Sequence, residues 1–336
     1  MDPLTHGALA AALPQATFGK NMSALRIGAL GFLAGMAPDL DVFLRSTTDP
    51  LAFLEYHRQF THALIFIPFG GLMSALVLHW VLGRRWGLAF RQTLIACTLG
   101  YATHALLDAA TAYGTLLLWP FSDVRVAVSN ISIIDPLFTL PLMAGVALAV
   151  RRKSPVPARI GLAWAAFYLS LGLILQSRAV ATAERAATER GVVPVHIAAK
   201  PSFGNLLVWK TITETSDRYY IDAVRTDFSN DLIRGRSLAK LDLARDLPWL
   251  DAGTQQAKDI ERFRRFSQGY LAMDPEQPHR IIDVRYSFVP NEVRPLWAVD
   301  VSPDAAPDAH AVYMTDHSNA REDMATLWRM AIGRRN

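Results

Sequence analysis

The sequence predicts an α-helical polytopic membrane domain followed by a soluble α+β domain. Mean hydropathy is +0.17 and 51% of residues are hydrophobic, which is high for a soluble chain. The apolar runs of spanning length all end by about residue 176. Charge divides at the same place. Residues 1–176 hold 12 of the 34 Lys+Arg and 8 of the 30 Asp+Glu, and the remainder holds 22 of each. The basic surplus therefore belongs to the apolar half, which suits a membrane-embedded protein better than a nucleic-acid binder.

Two short apolar stretches come first, about Thr5–Phe18 and Ile27–Ala37. At 1.5 Å per residue each covers roughly half to two-thirds of a ~30 Å hydrocarbon core, so they predict a short helical hairpin packed against longer helices. The Gly31–Gly35 spacing permits the close approach that such packing needs. Four longer runs follow, about Leu64–Leu82, Thr93–Ala112, Ile133–Val150 and Ile160–Gln176, each near the roughly 20 residues of a transmembrane helix. The opening residues carry Asp2 and His6 rather than a basic region before an apolar core, so no cleavable signal peptide is expected. The single cysteine, Cys97, excludes an intrachain disulfide.

The connections set the orientation. Lys20 and Arg26 lie in the hairpin turn, and Arg84, Arg85 and Arg91 follow the first long run. Arg151, Arg152, Lys153 and Arg159 follow the third. Positive residues gather on the cytoplasmic side, so these connections are expected there, in a multi-pass membrane protein. The opposite ends carry all eight acids of this half together with His6, His57, His62 and His104.

After Gln176 the chain emerges on the extracytoplasmic side. Residues 177–191 read as a helical linker, and residues 192–336 as a soluble α+β domain of roughly 145 residues, large enough for its own core. Alternating patterns predict strands at about Asn205–Thr213, Arg218–Val224, Arg280–Phe288 and Leu296–Val301. Helices are predicted at Ala257–Tyr270 and Arg321–Ile332.

Ionisable residues at the edge of a membrane are expensive to place there, and imidazoles with carboxylates form the ligand set of a divalent metal. His104 and Asp108 are four apart, so a helix puts both on one face. The ordinary alternative is a helix-terminal histidine beside a solvated aspartate. Pro38-Asp39-Leu40-Asp41 follows the hairpin directly; in extended chain both carboxylates point one way and could share or bridge cations. An acidic interfacial turn explains the same residues equally well. His57-Arg58-Gln59-Phe60-Thr61-His62 is the densest cluster. Its imidazoles suit zinc or manganese, Arg58 suits an anionic, phosphate-like group, and Thr61 suits a supporting hydrogen bond. A basic interfacial segment is the competing explanation.

His6 is a ligand candidate, with Asp2 and Asp135 as outer supports for the ligands. His79 reads as structural, and His196, His279, His310 and His317 lack ligand spacing.

Taken together, His6, Pro38-Asp39-Leu40-Asp41, His57-Arg58-Gln59-Phe60-Thr61-His62, His104-Ala-Leu-Leu-Asp108 and Leu117-Leu118-Trp119-Pro120 resemble the YdjM-type family of bacterial inner-membrane, metal-dependent hydrolases over about residues 1–150. Gln59 and Ala63 stand where that family commonly has glycine and serine, departures that spare every candidate ligand. The resemblance implies a metal-dependent hydrolase. The helical His/Asp set is also remotely similar to zinc phospholipase C and its nuclease relatives, which implies phosphoester substrates.

The expected function is thus metal-dependent hydrolysis at the extracytoplasmic interface, on a lipid or phosphoester. One or two divalent ions, zinc first, would be held by His6, Asp39, Asp41, His57, His62, His104 and Asp108. Asp39 or Asp108 would serve as general base, and Arg58 would stabilise developing negative charge. The expected partner is the lipid bilayer, with no nucleic acid. The alternative is a non-catalytic, metal-stabilised membrane scaffold whose soluble domain recruits a partner. A transporter fits less well, since the ligands cluster at one membrane face rather than at mid-depth.

Overall fold

The computed structural model describes residues 1–18, 22–44, 46–227 and 230–333. These fall into two compact units. The first comprises Met1–Leu44, Tyr56–Ile174 and Phe203–Asn205; the second comprises Arg45–Glu55, Leu175–Ser202 and Leu206–Asn336.

The first unit is helical. Its elements are α1 (Pro3–Phe18), α2 (Ala24–Met36), α4 (Ile67–Leu78), α5 (Phe90–Ala110), α6 (Pro136–Arg152) and the first part of α7 (Val156–Arg190). The short α3 (Ala52–Tyr56) lies between α2 and α4. The predicted hairpin is present as α1 and α2, and its small residues hold it together. A Cβ at Gly31 would meet the Ala10 carbonyl oxygen at 2.3 Å, and one at Gly35 would meet the Ala10 Cβ at 2.1 Å. Ile27, Leu30 and Ala34 of α2, Ala75 of α4, and Ala96 and Cys97 of α5 form one buried cluster.

Among the described residues, two stretches are both long and apolar enough to cross a bilayer, Leu64–Gly83 and Val156–Arg190. Four crossings were expected. The predicted run Thr93–Ala112 lies largely in α5, which has 21 residues but spends them on an interior position, with Thr93, Thr103, His104 and Asp108 all buried. α6 has 17 residues, a rise of about 25 Å, short of a full hydrocarbon core. The predicted fourth span and the linker after it form one continuous helix, α7, of 35 residues.

The basic connections meet. Arg26 donates from Nη1 to the Trp86 carbonyl at 2.8 Å, tying the hairpin turn to the connection after α4. Arg159 donates from Nε and Nη2 to the Ala16 carbonyl, both at 3.1 Å. Lys20, assigned to the same turn, lies outside the described residues.

The second unit contains two antiparallel sheets. One has the order β1 (His196–Pro201), β2 (Val208–Glu214), β3 (Arg218–Arg225), β4 (Asp231–Ile233), with β5 (Ser237–Ala239) also on β3. The other runs β6 (Leu271–Met273), β7 (Arg280–Asp283), β8 (Trp297–Asp300), β9 (Val312–Thr315). Side chains from both sheets, including Ile212, Tyr219 and Ile221 with Ala272, Ile282 and Ala298, share one core. Helices α8 (Leu243–Asp246), α9 (Gln255–Phe266) and α10 (Ala320–Ala331) complete the unit. The predicted strand at Arg280–Phe288 stops at Asp283, where the Arg285 amide donates to the Asp283 carboxylate at 3.0 Å instead of continuing a ladder.

Candidate metal centre

Four separate stretches of the helical unit deliver its buried polar side chains to one place. His6 comes from the first turns of α1, and Asp39 and Asp41 from a short 3-10 turn, Pro38–Phe43, after α2. His57, Arg58 and His62 come from the connection into Leu64–Phe66 and α4, and His104 and Asp108 from the end of α5. His6, Asp41, Arg58, His62, His104 and Asp108 are buried, and the Asp39 side chain is 29% exposed.

The distances are short. His62 Nε2 lies 3.5 Å from Asp39 Oδ1 and 3.4 Å from Asp108 Oδ2. His104 Nε2 lies 3.3 Å from Asp39 Oδ1 and 3.6 Å from Asp108 Oδ2. Donor atoms of Asp39, His62, His104 and Asp108 all lie within 4.8 Å of one another, and so do those of Asp39, Asp41 and His57. Asp39 belongs to both groups.

The imidazoles are oriented from behind. His104 donates from Nδ1 to the Gly35 carbonyl at 2.6 Å, and that oxygen can only accept. In neutral His104 the Nε2 lone pair is therefore the free one. Thr61 donates its hydroxyl to Asp41 Oδ2 at 2.8 Å, so its oxygen accepts from His62 Nδ1 at 2.9 Å, and His62 Nε2 is free in the same way. His62 Nε2, His104 Nε2 and Asp108 Oδ2 are buried without a hydrogen-bond partner. Backing the far ring nitrogen with a carbonyl or carboxylate is the usual arrangement behind a metal-ligating histidine.

Asp41 is the hub of this support. Its Oδ1 faces His57 Nδ1 at 2.7 Å, and its Oδ2 accepts from the Arg58 amide at 3.0 Å and from Thr61. The extended Pro38–Asp41 segment expected from the sequence is instead a 3-10 turn. The turn sends Asp41 inward to His57 and Thr61, while Asp39 faces His62 and His104.

Arg58 has φ +64°, a conformation that costs a non-glycine residue about 1 kcal/mol or more. It lets the amide reach Asp41 while Nε stands 3.1 Å from Asp108 Oδ2 and the guanidinium lies 4.5 Å from the centre of the Tyr113 ring. Tyr113 is a neighbour the sequence did not single out; an aromatic just past a helix end carries no distinctive signal.

His6 stacks on His104 with ring centres 3.6 Å apart, and its Nε2 lies 3.1 Å from Asp108 Oδ1. It stands beside the four donors rather than among them. The Met1 amino group also meets Asp108 Oδ1. Asp2 and Asp135 are occupied elsewhere. Asp2 accepts from the Thr5 amide at 3.0 Å, and Asp135 caps α6 while accepting from Tyr168 at 2.9 Å. His79 bonds Thr93 at 3.1 Å, away from the cluster.

The electrostatics favour a cation. Burial alone would discourage ionisation of Asp39, but the imidazoles of His104 and His62 beside it hold its carboxyl well below the usual carboxylate range. Asp41 is likewise lowered against burial by His57 and His62. Burial opposes charge on His62 as well, yet Asp108, Asp39 and Asp41 together push it up to about 10.

Among the described residues the chain carries two stretches long and apolar enough to cross a membrane, and a buried His/carboxylate cluster that could hold a metal ion. The chain belongs to the YdjM inner membrane protein family, whose sequence profile matches residues 1–179. It is also similar to YfhP, an uncharacterized protein of Bacillus subtilis (strain 168), at 28% identity over 124 residues. That match covers 37% of this chain and 37% of YfhP, so the chain spans little more than a third of that relative. No solved structure matches the chain.

Proposed function

We propose that this chain is a membrane-bound, metal-dependent hydrolase that acts at the extracytoplasmic interface on a lipid or other phosphoester. The observation that carries the reading is the set of four donor separations, 3.3, 3.4, 3.5 and 3.6 Å, between two imidazole nitrogens and two carboxylate oxygens. Zinc bonds to such donors measure roughly 2.0–2.2 Å, so the edges of a tetrahedron of ligands measure about 3.3–3.6 Å. Asp39, His62, His104 and Asp108 are the proposed first ion's ligands, and Asp39, Asp41 and His57 those of a second. His6 is proposed to steady His104 and Asp108 from the side.

A divalent ion in this setting supplies Lewis acidity and a hydroxide nucleophile at neutral pH. The residues do the rest. Asp39, partly exposed and ionised, is the group placed to accept a proton from water at the mouth of the cluster, whereas Asp108 is fully buried and committed to Arg58 and His6. Arg58 holds a positive charge beside the donors, where a phosphoryl oxygen gains charge during attack. The basic connections, tied together by Arg26 and Arg159 at the other ends of these helices, support a cytoplasmic location for that side and an extracytoplasmic one for the cluster. A substrate diffusing in the membrane would reach headgroup depth directly.

The test is elemental analysis of detergent-purified full-length protein, followed by assay of the metal-loaded form against phospholipids and chromogenic phosphoesters. At least one equivalent of metal with turnover is expected; less than one equivalent would sink the reading. A scaffold without turnover is the second reading, favoured by the complete burial of His62, His104 and Asp108. Metal binding without hydrolysis of any substrate in the panel selects it.

A further inference from the structure

Between Asp41 and His57 the chain leaves the helical unit, and residues 46–55 pack within the sheet-containing one. Leu51 and Leu54 are buried there, and Phe53 meets Tyr313 edge-on with ring centres 5.5 Å apart. The charged contact is more specific. Arg262, on α9, donates from Nε to Glu55 Oε1 at 2.7 Å, and from Nη1 to Asp49 Oδ1 at 2.9 Å and Asp259 Oδ1 at 3.0 Å. Its Nη2 donates to Asp49 Oδ2 at 2.8 Å and Glu55 Oε2 at 3.0 Å. A guanidinium has five N–H donors, so every one is used, four of them on this strap.

Arg262 is itself held. Asp259 is fully buried, and its second oxygen accepts from the Ala311 amide at 3.0 Å and faces His310 Nδ1 at 2.8 Å. At the base of the strap, His57 and Asp41 close the loop through their 2.7 Å contact, and the Arg58 amide bonds the same carboxylate. Glu55 is two residues from His57 and three from Arg58. The loop is thus fixed at its base by residues of the metal cluster and at its tip by one arginine of the sheet-containing unit. Isolated surface ion pairs contribute little, but two bidentate arms on one part-buried arginine fix a geometry as well as a charge.

We propose that Arg262 is a positioning residue for the metal centre: by anchoring Asp49 and Glu55 it holds the strap so that His57, Arg58 and Asp41 keep their register. The inference rests on the metal reading above. Releasing the tip returns configurational freedom to the strap, and its base, the Asp41–His57 contact, must then close the loop unaided.

Co²⁺ binding to the full-length protein in detergent tests this, because cobalt's visible absorption reports ligand set and geometry. Wild type, R262K, R262Q and the double variant D49N/E55Q are compared, with circular dichroism as the check on folding. R262Q and D49N/E55Q are expected to bind Co²⁺ about 10-fold more weakly or worse, with altered visible bands. R262K, with a point charge in place of a fork, is expected to recover part of the affinity. Should R262Q fail to fold, D49N/E55Q decides, since it leaves α9 and its Asp259 contact untouched. Wild-type affinity and bands in D49N/E55Q or in folded R262Q overturn the inference alone. A wild-type chain that takes up no Co²⁺ overturns the metal reading, and the inference with it.

Discussion

Gly31 and Gly100 meet backbone to backbone: a Cβ on Gly100 would come within 2.4 Å of the Gly31 carbonyl oxygen. One turn further along α2, the Gly35 carbonyl accepts the hydrogen bond from His104 Nδ1. The same close approach that seats the hairpin on α5 therefore sets which imidazole nitrogen faces Asp39 and Asp108. Because the obstacle is backbone, it cannot rotate away. Gly100→Ala is expected to cost about 1–3 kcal/mol and to lower metal uptake together with the melting temperature. Gly253→Ala, where the nearest atom is a side-chain oxygen at 3.4 Å, should leave both unchanged. Thermal unfolding and metal content of the two variants provide the comparison.

Chelation should destabilise the helical unit. A ligand present at 100 times its dissociation constant stabilises the folded state by about 2.7 kcal/mol. Wild-type protein melted with and without EDTA is expected to show a lower transition in the chelator. His104→Ala should melt alike in both conditions and carry less metal. Superimposable wild-type curves would remove the case for a structural or catalytic ion.

Much of this architecture was legible because its signals are local. The hairpin α1–α2 follows from two short apolar runs around a basic turn, and its tight packing from Gly31 and Gly35. The shared face of His104 and Asp108 follows from helical spacing. What sequence reading missed depends on tertiary partners. The Pro38–Asp41 segment is compatible with extended chain or a 3-10 turn, and the bonds from Asp41 to His57, Arg58 and Thr61 accompany the turn. Hydropathy marked Thr93–Ala112 as a span, although half of its helix is an interior face that carries the ligands. The capture of Asp49 and Glu55 by Arg262 joins residues more than two hundred positions apart, beyond the reach of any periodicity.

Arg58 should matter to chemistry more than to metal retention. Its guanidinium lies beside Asp108 and over Tyr113, and a protonated guanidinium has no lone pair to offer a metal. Removing one preorganised donor from a developing oxyanion typically costs about 10²–10³ in kcat. Arg58→Gly, which also suits the positive φ, is expected to keep its metal and lose that much turnover on a chromogenic phosphoester. Arg58→Lys should recover little, since an ammonium lacks the planar fork. Metal content by elemental analysis, measured beside kcat, separates the two roles.

The sheet-containing unit carries a buried pair of lysines, Lys200 and Lys210, opposite each other on β1 and β2. Burial pushes the Lys210 amine down to about 7, with Asp283 and Glu292 offsetting part of the effect, and burial lowers Lys200 as well. Lys210 is nonetheless satisfied, donating to Ser287 Oγ at 2.8 Å, the Glu292 carbonyl at 2.9 Å and the Pro290 carbonyl at 3.2 Å. An unfolded lysine titrates near 10.4, so between about pH 7 and 10 the unfolded chain binds more protons than the folded one. Stability must then rise with pH across that window, by up to about 1.4 kcal/mol per pH unit for each lysine that is neutral when folded. Below pH 7 Lys210 is charged in both states and its contribution levels off. Circular dichroism melts of the full chain from pH 6 to about 9.5 are expected to show the transition climbing above pH 7. Lys200→Met/Lys210→Met should flatten that climb, whereas a wild-type transition that falls steadily over this range would contradict the downward shift of these buried amines.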